Sequence, residues 1–447
     1  MLSATRIFII YFLAGLVLQT HAQNFPIGHS TITYTDAARS NRAIECEVYY
    51  PGLTVGNDVA IANGTFPVVV LGHGFAMGTN VYSNWWEEFV PEGFIFVLPN
   101  TEGSLLPAPS HGDFGLDLQF LASEMQLEND NNASPFYQHI TARTAIMGHS
   151  MGGGATILGS SNFNGVDCIV GLAPAETDPS AVTAASNVSA PALILSGASD
   201  GVTPPQDHHV PIYDALGSDC KYFATIADGS HCYFANYNFN CSFGEIIPGS
   251  LSREDQQNVS YALVHPWFDY FLKDDCPAWD DFETALETEN NIASYASSCE
   301  NDAPVIVDNA GTLESTQTSN YQWYLDGQPI NGAVQQQHIY TQSGTYQVGT
   351  INLGYCEVLS NEILIQITGM AEPKIGIYYD ETGIRIRPSV TLKNVTLEWF
   401  DLLGKLIQSK TVSQMDANEN WNIIDLSNRN CLLRLRSDEV VKTWKLF

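Results

Sequence analysis

The sequence predicts an α/β fold on a mostly parallel sheet, followed by two small β-sandwich domains. Three observations carry this. Short, wholly apolar runs alternate with longer amphipathic stretches through about the first 300 residues, the charge balance breaks twice beyond them, and the last third repeats short strand-like runs between turn residues. A chain of 447 residues that is 45% hydrophobic and 11% aromatic is too long for one ordinary domain and too apolar for disorder.

The first segment, Met1 to Ala22, combines Arg6, the apolar run Ile7 to Leu18 and the Thr20-His21-Ala22 end of a cleavage-type site, which is the pattern of a secretory signal peptide. A spanning helix needs about 20 apolar residues and no other stretch supplies them, so export without stable membrane insertion is expected.

The apolar runs Val68 to Leu71, Phe94 to Leu98, Ala145 to Met147, Cys168 to Leu172 and Ala192 to Leu195 have the composition of strands buried on both faces. Between the second and third of them, Phe114, Leu118, Leu121 and Met125 recur at helical spacing, and Ser252 to Asp274 predicts a final long helix. The acidic, Ser/Asn-rich segment Asp280 to Asp302 reads as the domain's end and a linker. Residues 1 to 302 hold 34 acids and 7 bases, residues 303 to 370 hold 5 acids and no base, and residues 371 to 447 hold 10 acids and 11 bases. The expected division is therefore 1–22 signal peptide, 23–300 α/β domain, 301–370 first sandwich and 371–447 last domain.

A formal charge of −31 argues against nucleic acid and anionic bilayers as partners. Nine cysteines in an exported chain can oxidise, with at least one left over; their pairing does not follow from sequence, and Cys276 with Cys299 is the expectation because both flank a polar loop. With neither a CxxC pair nor a His-rich cluster, no structural zinc is expected.

Directly after the run Ala145 to Met147 comes Gly148-His149-Ser150-Met151-Gly152-Gly153-Gly154, a GxSxG sequence between a strand and a helix. In that context the turn is sharp and strained, glycines avoid backbone collisions, and the serine hydroxyl projects above the sheet at the positive end of the helix. Serine is a poor nucleophile at neutral pH, so it needs a base oriented by a carboxylate. Asp200, fifty residues on, follows the run Ala192 to Leu195, and His231, thirty-one further, follows Tyr222 to Ile226. This is the Ser, Asp, His order of α/β-hydrolases. His208 and His209 follow Pro204-Pro205 at a helix start, where polar residues cap or face solvent; Asp207 reads as a helix-start carboxylate, Asp228 as a turn residue and His73 as a structural hydrogen-bonder. The backbone N–H groups of Met151 and Phe75 are the expected oxyanion donors, each worth about 3 kcal/mol in the transition state.

On these residues the first domain resembles the cutinase-like polyester hydrolases, the group that includes enzymes attacking poly(ethylene terephthalate). The resemblance implies an α/β-hydrolase fold, no cofactor, and a substrate subsite in which Phe75 is an aromatic wall, His149 and Met151 lie beside the ester, and Val202 is an aliphatic contact. It breaks at Ala173-Pro174-Ala175, where the family typically has a tryptophan that stacks on an aromatic substrate. Residues 303 to 370, with Gln322-Trp323-Tyr324, Asp326-Gly327 and Ser343 to Val348, resemble an immunoglobulin-like sandwich with Trp323 in the core, Tyr346 as its corner tyrosine and Val348 where a cysteine often stands. The runs Thr396 to Phe400, Ile423-Ile424 and Leu432 to Leu435, the stretch Asp401 to Lys405 and the ending Val440 to Phe447 resemble a C-terminal sorting domain of the bacterial type IX secretion pathway.

The expectation is a secreted or cell-surface serine esterase acting on hydrophobic or polymeric carboxylic esters, with the type IX machinery as its export partner. A small-ester or lipid-ester hydrolase of the dienelactone or platelet-activating-factor acetylhydrolase type shares fold and triad, and a non-catalytic surface binder would use the scaffold alone.

Overall fold

The computed structural model describes residues 24–299 without interruption, and residues 303–446 apart from 310, 317–319, 352, 354–355, 367–374, 381–382, 402–404, 420, 424–430 and 439. The signal-peptide segment, Leu402 to Gly404, Ile424 and Phe447 lie outside the described residues.

Ten strands form one sheet: β1 (Ile27–Asp36), β2 (Arg42–Pro51), β3 (Gly56–Asn57), β4 (Phe66–Gly72), β5 (Ile95–Pro99), β6 (Ile140–His149), β7 (Cys168–Leu172), β8 (Ala192–Gly197), β9 (Cys220–Ile226) and β10 (Ile292–Cys299). Their spatial order is β10-β9-β8-β7-β6-β4-β5-β2-β1-β3. The six strands from β5 to β9 in that order are parallel, while β2 and β10 join antiparallel on either side. The apolar runs become strands because both faces are covered, and alternation decides which neighbour each residue meets. Val68, Val70, Ile146 and Ile194 pack with α2 (His111–Glu128), α3 (Met151–Ser160), α4 (Ala181–Ala185) and α5 (His209–Ala215). Val69, Leu71, Met147 and Leu195 face α1 (Ser83–Phe89), α7 (Arg253–Lys273) and α8 (Ala278–Thr288). Each such side chain withdrawn from water stabilises the fold by about 1.5–3 kcal/mol.

The predicted helix stripe Phe114, Leu118, Leu121 and Met125 is buried along α2, whose start is capped by Ser110 accepting from the Asp113 N–H. The long helix α7 is likewise capped by Ser252. It is not the last element. The segment expected to be the end of the domain and a linker contains α8 and β10, because Trp279, Phe282 and Leu286 are buried along α8 and β10 pairs with β9 as an edge strand.

Among the described residues, three disulfides stand in place of the expected Cys276–Cys299 pair: Cys220–Cys299, Cys232–Cys241 and Cys276–Cys356. The first joins directly opposed residues of β9 and β10, which removes Cys299 from Cys276; Cys276, just past α7, is bonded instead to the following sheet structure. Cys46 and Cys168 are buried free thiols.

Small antiparallel sheets follow the α/β core. Ile306–Asp308, Thr312–Ser315 and Gln337–Ile339 form one. A second contains Tyr321–Leu325 and Gly344–Ile351, in which Trp323 lies opposite Val348. Trp323 and Tyr346 are buried with Ile306 and Leu313, and the Tyr346 hydroxyl donates to the Gln342 carbonyl at 3.1 Å. Two further sheets, one with Ile375–Asp380 and Gly383–Pro388, the other with Leu392–Phe400, Leu406–Met415, Cys431–Arg436 and Val441–Leu446, enclose Ile386, Leu397, Leu433 and Leu435.

Candidate active site

Ser150 stands between β6 and α3 with φ 58° and ψ −119°, a backbone conformation that side chains rarely adopt. The strain is held from several sides: the Ser150 N–H donates to Leu172 O at 2.9 Å, and its carbonyl accepts from the N–H groups of Gly154 at 3.0 Å and Ala175 at 2.9 Å. Close backbone packing explains the glycines, since a Cβ at Gly152 would collide with the Gly72 carbonyl of β4.

Two loops converge at the same edge. Past β8 and β9 the chain is tied by Ala198 N–H to Ile226 O (2.9 Å) and Ser199 N–H to Gly229 O (2.8 Å), which brings Asp200 beside His231. Asp200 Oδ2 lies 2.7 Å from His231 Nδ1, and Oδ1 accepts from the N–H groups of Val202 (2.9 Å) and Thr203 (2.7 Å). Burial alone would raise the Asp200 pKa, but the hydrogen bond and charge of His231 together with the Thr203 N–H outweigh it and hold the carboxyl below the usual range. With Nδ1 engaged by the carboxylate, the other ring nitrogen of His231 is the one available for proton transfer. Both residues are buried, and Ser150 is nearly so.

The remaining expected site residues are placed as follows. Met151 opens α3, so its N–H has no acceptor within the helix. Phe75 follows β4 and is 48% exposed, and Val202 is 37% exposed. Ala175, hydrogen-bonded through its backbone to Ser150, is half-buried. His149, expected beside the ester, is fully buried. Its Nε2 donates to the His231 carbonyl at 3.0 Å, so Nδ1 must accept, and the Tyr82 hydroxyl donates to it at 2.9 Å. Tyr82 in turn accepts from the Gly74 N–H at 2.7 Å. Burial, then the neighbouring His231 charge, push the His149 pKa well below the ordinary value. With both nitrogens occupied, this ring fixes the Phe75 turn and the His231 backbone to one post and has none left for a ligand. His73 is buried between the carbonyls of Gly74 and Thr101.

Several residues at the site carried no signal in the sequence reading. Thr203 Oγ1 is 2.9 Å from His231 Nδ1, 3.0 Å from Asp200 Oδ2 and 3.0 Å from His209 Nε2. His209, expected at a cap or in solvent, is wholly buried; His208 does meet the backbone, accepting from the Glu176 N–H at 2.9 Å. Glu245 clamps the backbone of the histidine, accepting from His231 N–H at 2.5 Å and Cys232 N–H at 2.9 Å; burial, opposed by those two bonds, leaves its pKa raised. It follows α6 (Phe239–Gly244), which the Cys232–Cys241 disulfide anchors next to His231. A cysteine adjacent to His231 and nine residues from another was the one clue in the chain. Asn240 Nδ2 donates to Ala76 O at 2.9 Å, linking α6 to the Phe75 turn. Around this helix Phe239, Phe243, Ile246 and Ile247 are 68–86% exposed.

A strained serine at the strand-to-helix turn, with a buried Asp–His pair at the same sheet edge, is an arrangement that comparison can place. Residues 26–248 match the PETase family, described as PET hydrolase-like. Among curated relatives, the chain is 27% identical over 171 residues to the bis(hydroxyethyl) terephthalate hydrolase of Streptomyces coelicolor, covering 38% of this chain and 49% of that protein. It is 24% identical over 219 residues to cutinase est1 of Thermobifida alba (48% and 66%), and 25% over 190 residues to a cutinase of Thermobifida fusca (42% and 57%). The chain thus spans about half to two thirds of the length of these relatives. The cutinase-like and PET hydrolase-like resemblance is found again, and it lies in the α/β core. Among the described residues no group of three or more His, Cys, Asp or Glu could hold a metal ion, and no helix is long and apolar enough to cross a membrane.

Proposed function

We propose that the protein is a secreted serine esterase that hydrolyses hydrophobic or polymeric carboxylic esters through an acyl-enzyme. The observation that carries the reading is the 2.7 Å contact between Asp200 and His231 at the sheet edge that holds Ser150 at φ 58°. In this mechanism Ser150 Oγ attacks the ester carbonyl as His231 takes its proton, and Asp200 stabilises the imidazolium. The N–H groups of Phe75 and Met151 receive the oxyanion. Collapse of the tetrahedral intermediate breaks the ester C–O bond, and His231 returns its proton to the leaving alcohol. Water, deprotonated by the same ring, then attacks the acyl-serine and releases the acid.

Phe75, Val202 and the exposed side chains of the α6 region give the site an apolar rim, which supports a hydrophobic acyl or polymer substrate. Ala175 leaves out the ring that would stack on an aromatic acid, so aliphatic polyesters fit better than aromatic ones. Residues 23–300 form the catalytic unit in this reading, 301–370 an immunoglobulin-like spacer and 371–447 a type IX sorting domain.

The test is hydrolysis of p-nitrophenyl esters of increasing chain length and of amorphous polyester films by the purified protein and its Ser150→Ala variant. Cleavage of both by the wild type alone supports the proposal. Cleavage of soluble esters only moves the assignment to a small-ester hydrolase, and no cleavage by folded wild type leaves a binding protein.

A further inference from the structure

A fully buried histidine that is neither nucleophile nor base needs a reason, because an apolar side chain would fill the same space without a desolvation cost. His209 is such a residue. Its Nδ1 is 2.8 Å from the hydroxyl of Ser196, itself buried at the end of β8, and its Nε2 is 3.0 Å from Thr203 Oγ1. The same hydroxyl contacts Asp200 Oδ2 and His231 Nδ1, and the Ala173 carbonyl at 3.4 Å.

Counting protons assigns the directions. Thr203 has one hydroxyl proton, and its strongest acceptor is the ionised Asp200 Oδ2, so it donates there. Its lone pairs must then accept, and His209 Nε2–H is the donor that points at it. This leaves His209 Nδ1 unprotonated, so Ser196 Oγ–H donates to it. The result is a directed chain, Ser196 to His209 to Thr203 to Asp200, ending on the carboxylate that orients His231. Burial pushes the His209 pKa down to about 3 against the pull of Asp200. The ring is therefore neutral in the working range and, 3.7 Å from Asp200 Oδ2, does not compete with His231 for the carboxylate.

We propose that His209, acting through Thr203, is a positioning residue that fixes the Asp200–His231 pair for proton transfer. The inference rests on the esterase reading above and adds to it a second histidine outside the triad. With the Thr203 hydroxyl locked towards Asp200, the carboxylate holds four donors, namely two backbone N–H groups, Thr203 and His231. Its rotation out of the imidazole plane would break all four together. The titratable groups facing the pair are His149 from β6, His209 from the start of α5 and Glu245 beyond α6, with His208 acting on His209 rather than on the pair.

The experiment compares wild type with Thr203→Val, His209→Phe and His209→Gln on a soluble p-nitrophenyl ester. Thr203→Val keeps the shape, and His209→Gln restores a donor near the place of Nε2. Thr203→Val and His209→Phe should each lower kcat about tenfold with KM within about twofold, as expected for loss of a hydrogen bond to a charged group. In Thr203→Val the acidic limb of kcat/KM should move up by about half a pH unit, because a carboxylate with one donor fewer attracts the His231 proton more strongly. His209→Gln should recover most of the loss. Wild-type kcat and an unmoved acidic limb in Thr203→Val, with or without a fall in melting temperature, would reduce His209 to packing and overturn the proposal. Thr203→Val decides alone if His209→Phe does not fold. Independently of turnover, the far-downfield proton resonance of His231 Nδ1–H should broaden or shift in Thr203→Val; an unchanged resonance overturns the proposal. If the wild type cleaves no ester, this resonance still decides the positioning role, and only the esterase reading falls.

Discussion

The ten-stranded sheet and the small sheets behind it both bury apolar side chains by alternation, yet they differ in the polar groups they bury. Among the described residues, the sheets beyond residue 303 bury the hydroxyls of Ser315, Thr350 and Ser360 and no titratable side chain other than tyrosine and cysteine. The carboxyl edge of the large sheet and the segments that follow its strands bury His149, Asp200, His209, His231 and Glu245. Burying such groups costs free energy unless every one is hydrogen-bonded, and here the bonds run from one group to the next. The contrast teaches where to look: a region whose buried polar side chains are a few scattered hydroxyls has been shaped for stability, and one that concentrates interlocked titratable groups has been shaped for something else.

The largest effect that would break this comparison is on turnover. Ser150→Ala should lower ester hydrolysis by about a thousandfold or more while leaving the melting temperature within a few degrees, read from initial rates and calorimetry. Retention of activity would remove the chemical meaning of the sheet edge. Next, Trp323→Ala should destabilise the small-sheet region by about 3–5 kcal/mol with kcat/KM on a soluble ester unchanged; a parallel loss of activity would show that the two regions are not independent. The double change Cys276→Ser with Cys356→Ser should cost about 2–4 kcal/mol of stability, visible as a lower denaturation midpoint, again with activity retained.

The smallest effect concerns an ion-paired histidine away from the site. His265 lies 3.0 Å from Glu88 and 3.2 Å from Glu92. Burial pulls its pKa down, but the two carboxylates outweigh burial and leave it raised. A raised folded-state pKa means that the stabilisation is complete below the unfolded value of about 6.5 and is lost as pH rises through the folded value. Relative to His265→Gln, wild type should be more stable by no more than about 1 kcal/mol at pH 5, since both carboxylates are partly exposed and screened, and the two should converge by about pH 9. A difference that grows with pH would reverse the assignment.

The parallel strands β4 to β8 were legible because a strand covered on both faces needs a continuous apolar run such as Val68 to Leu71. The stretch Asp280 to Cys299 was not, because the exposed acids of α8 hide the helical spacing of Trp279, Phe282 and Leu286, and β10 is an edge strand whose side chains are largely exposed. At the site, Ser150, Asp200 and His231 stand out in the sequence because each follows a strand-like run at a turn. Tyr82, Thr203, His209 and Glu245 were not legible, because their roles are side-chain hydrogen bonds that no periodicity records, whether to a residue close in sequence, as from Thr203 to Asp200, or far from it, as from Tyr82 to His149. His149 shows the converse limit: its place in the motif suggested the ligand side, and only its two hydrogen bonds turn it inward.

The Cys276–Cys356 bond has a consequence for what a protease could do to the chain. Any single cut between those two residues, the stretch joining the large sheet to the small ones included, leaves both fragments covalently attached. A nicked molecule would migrate as one species on a gel until a reductant is added. The small sheets would therefore stay joined to the large one after the polypeptide itself had been severed.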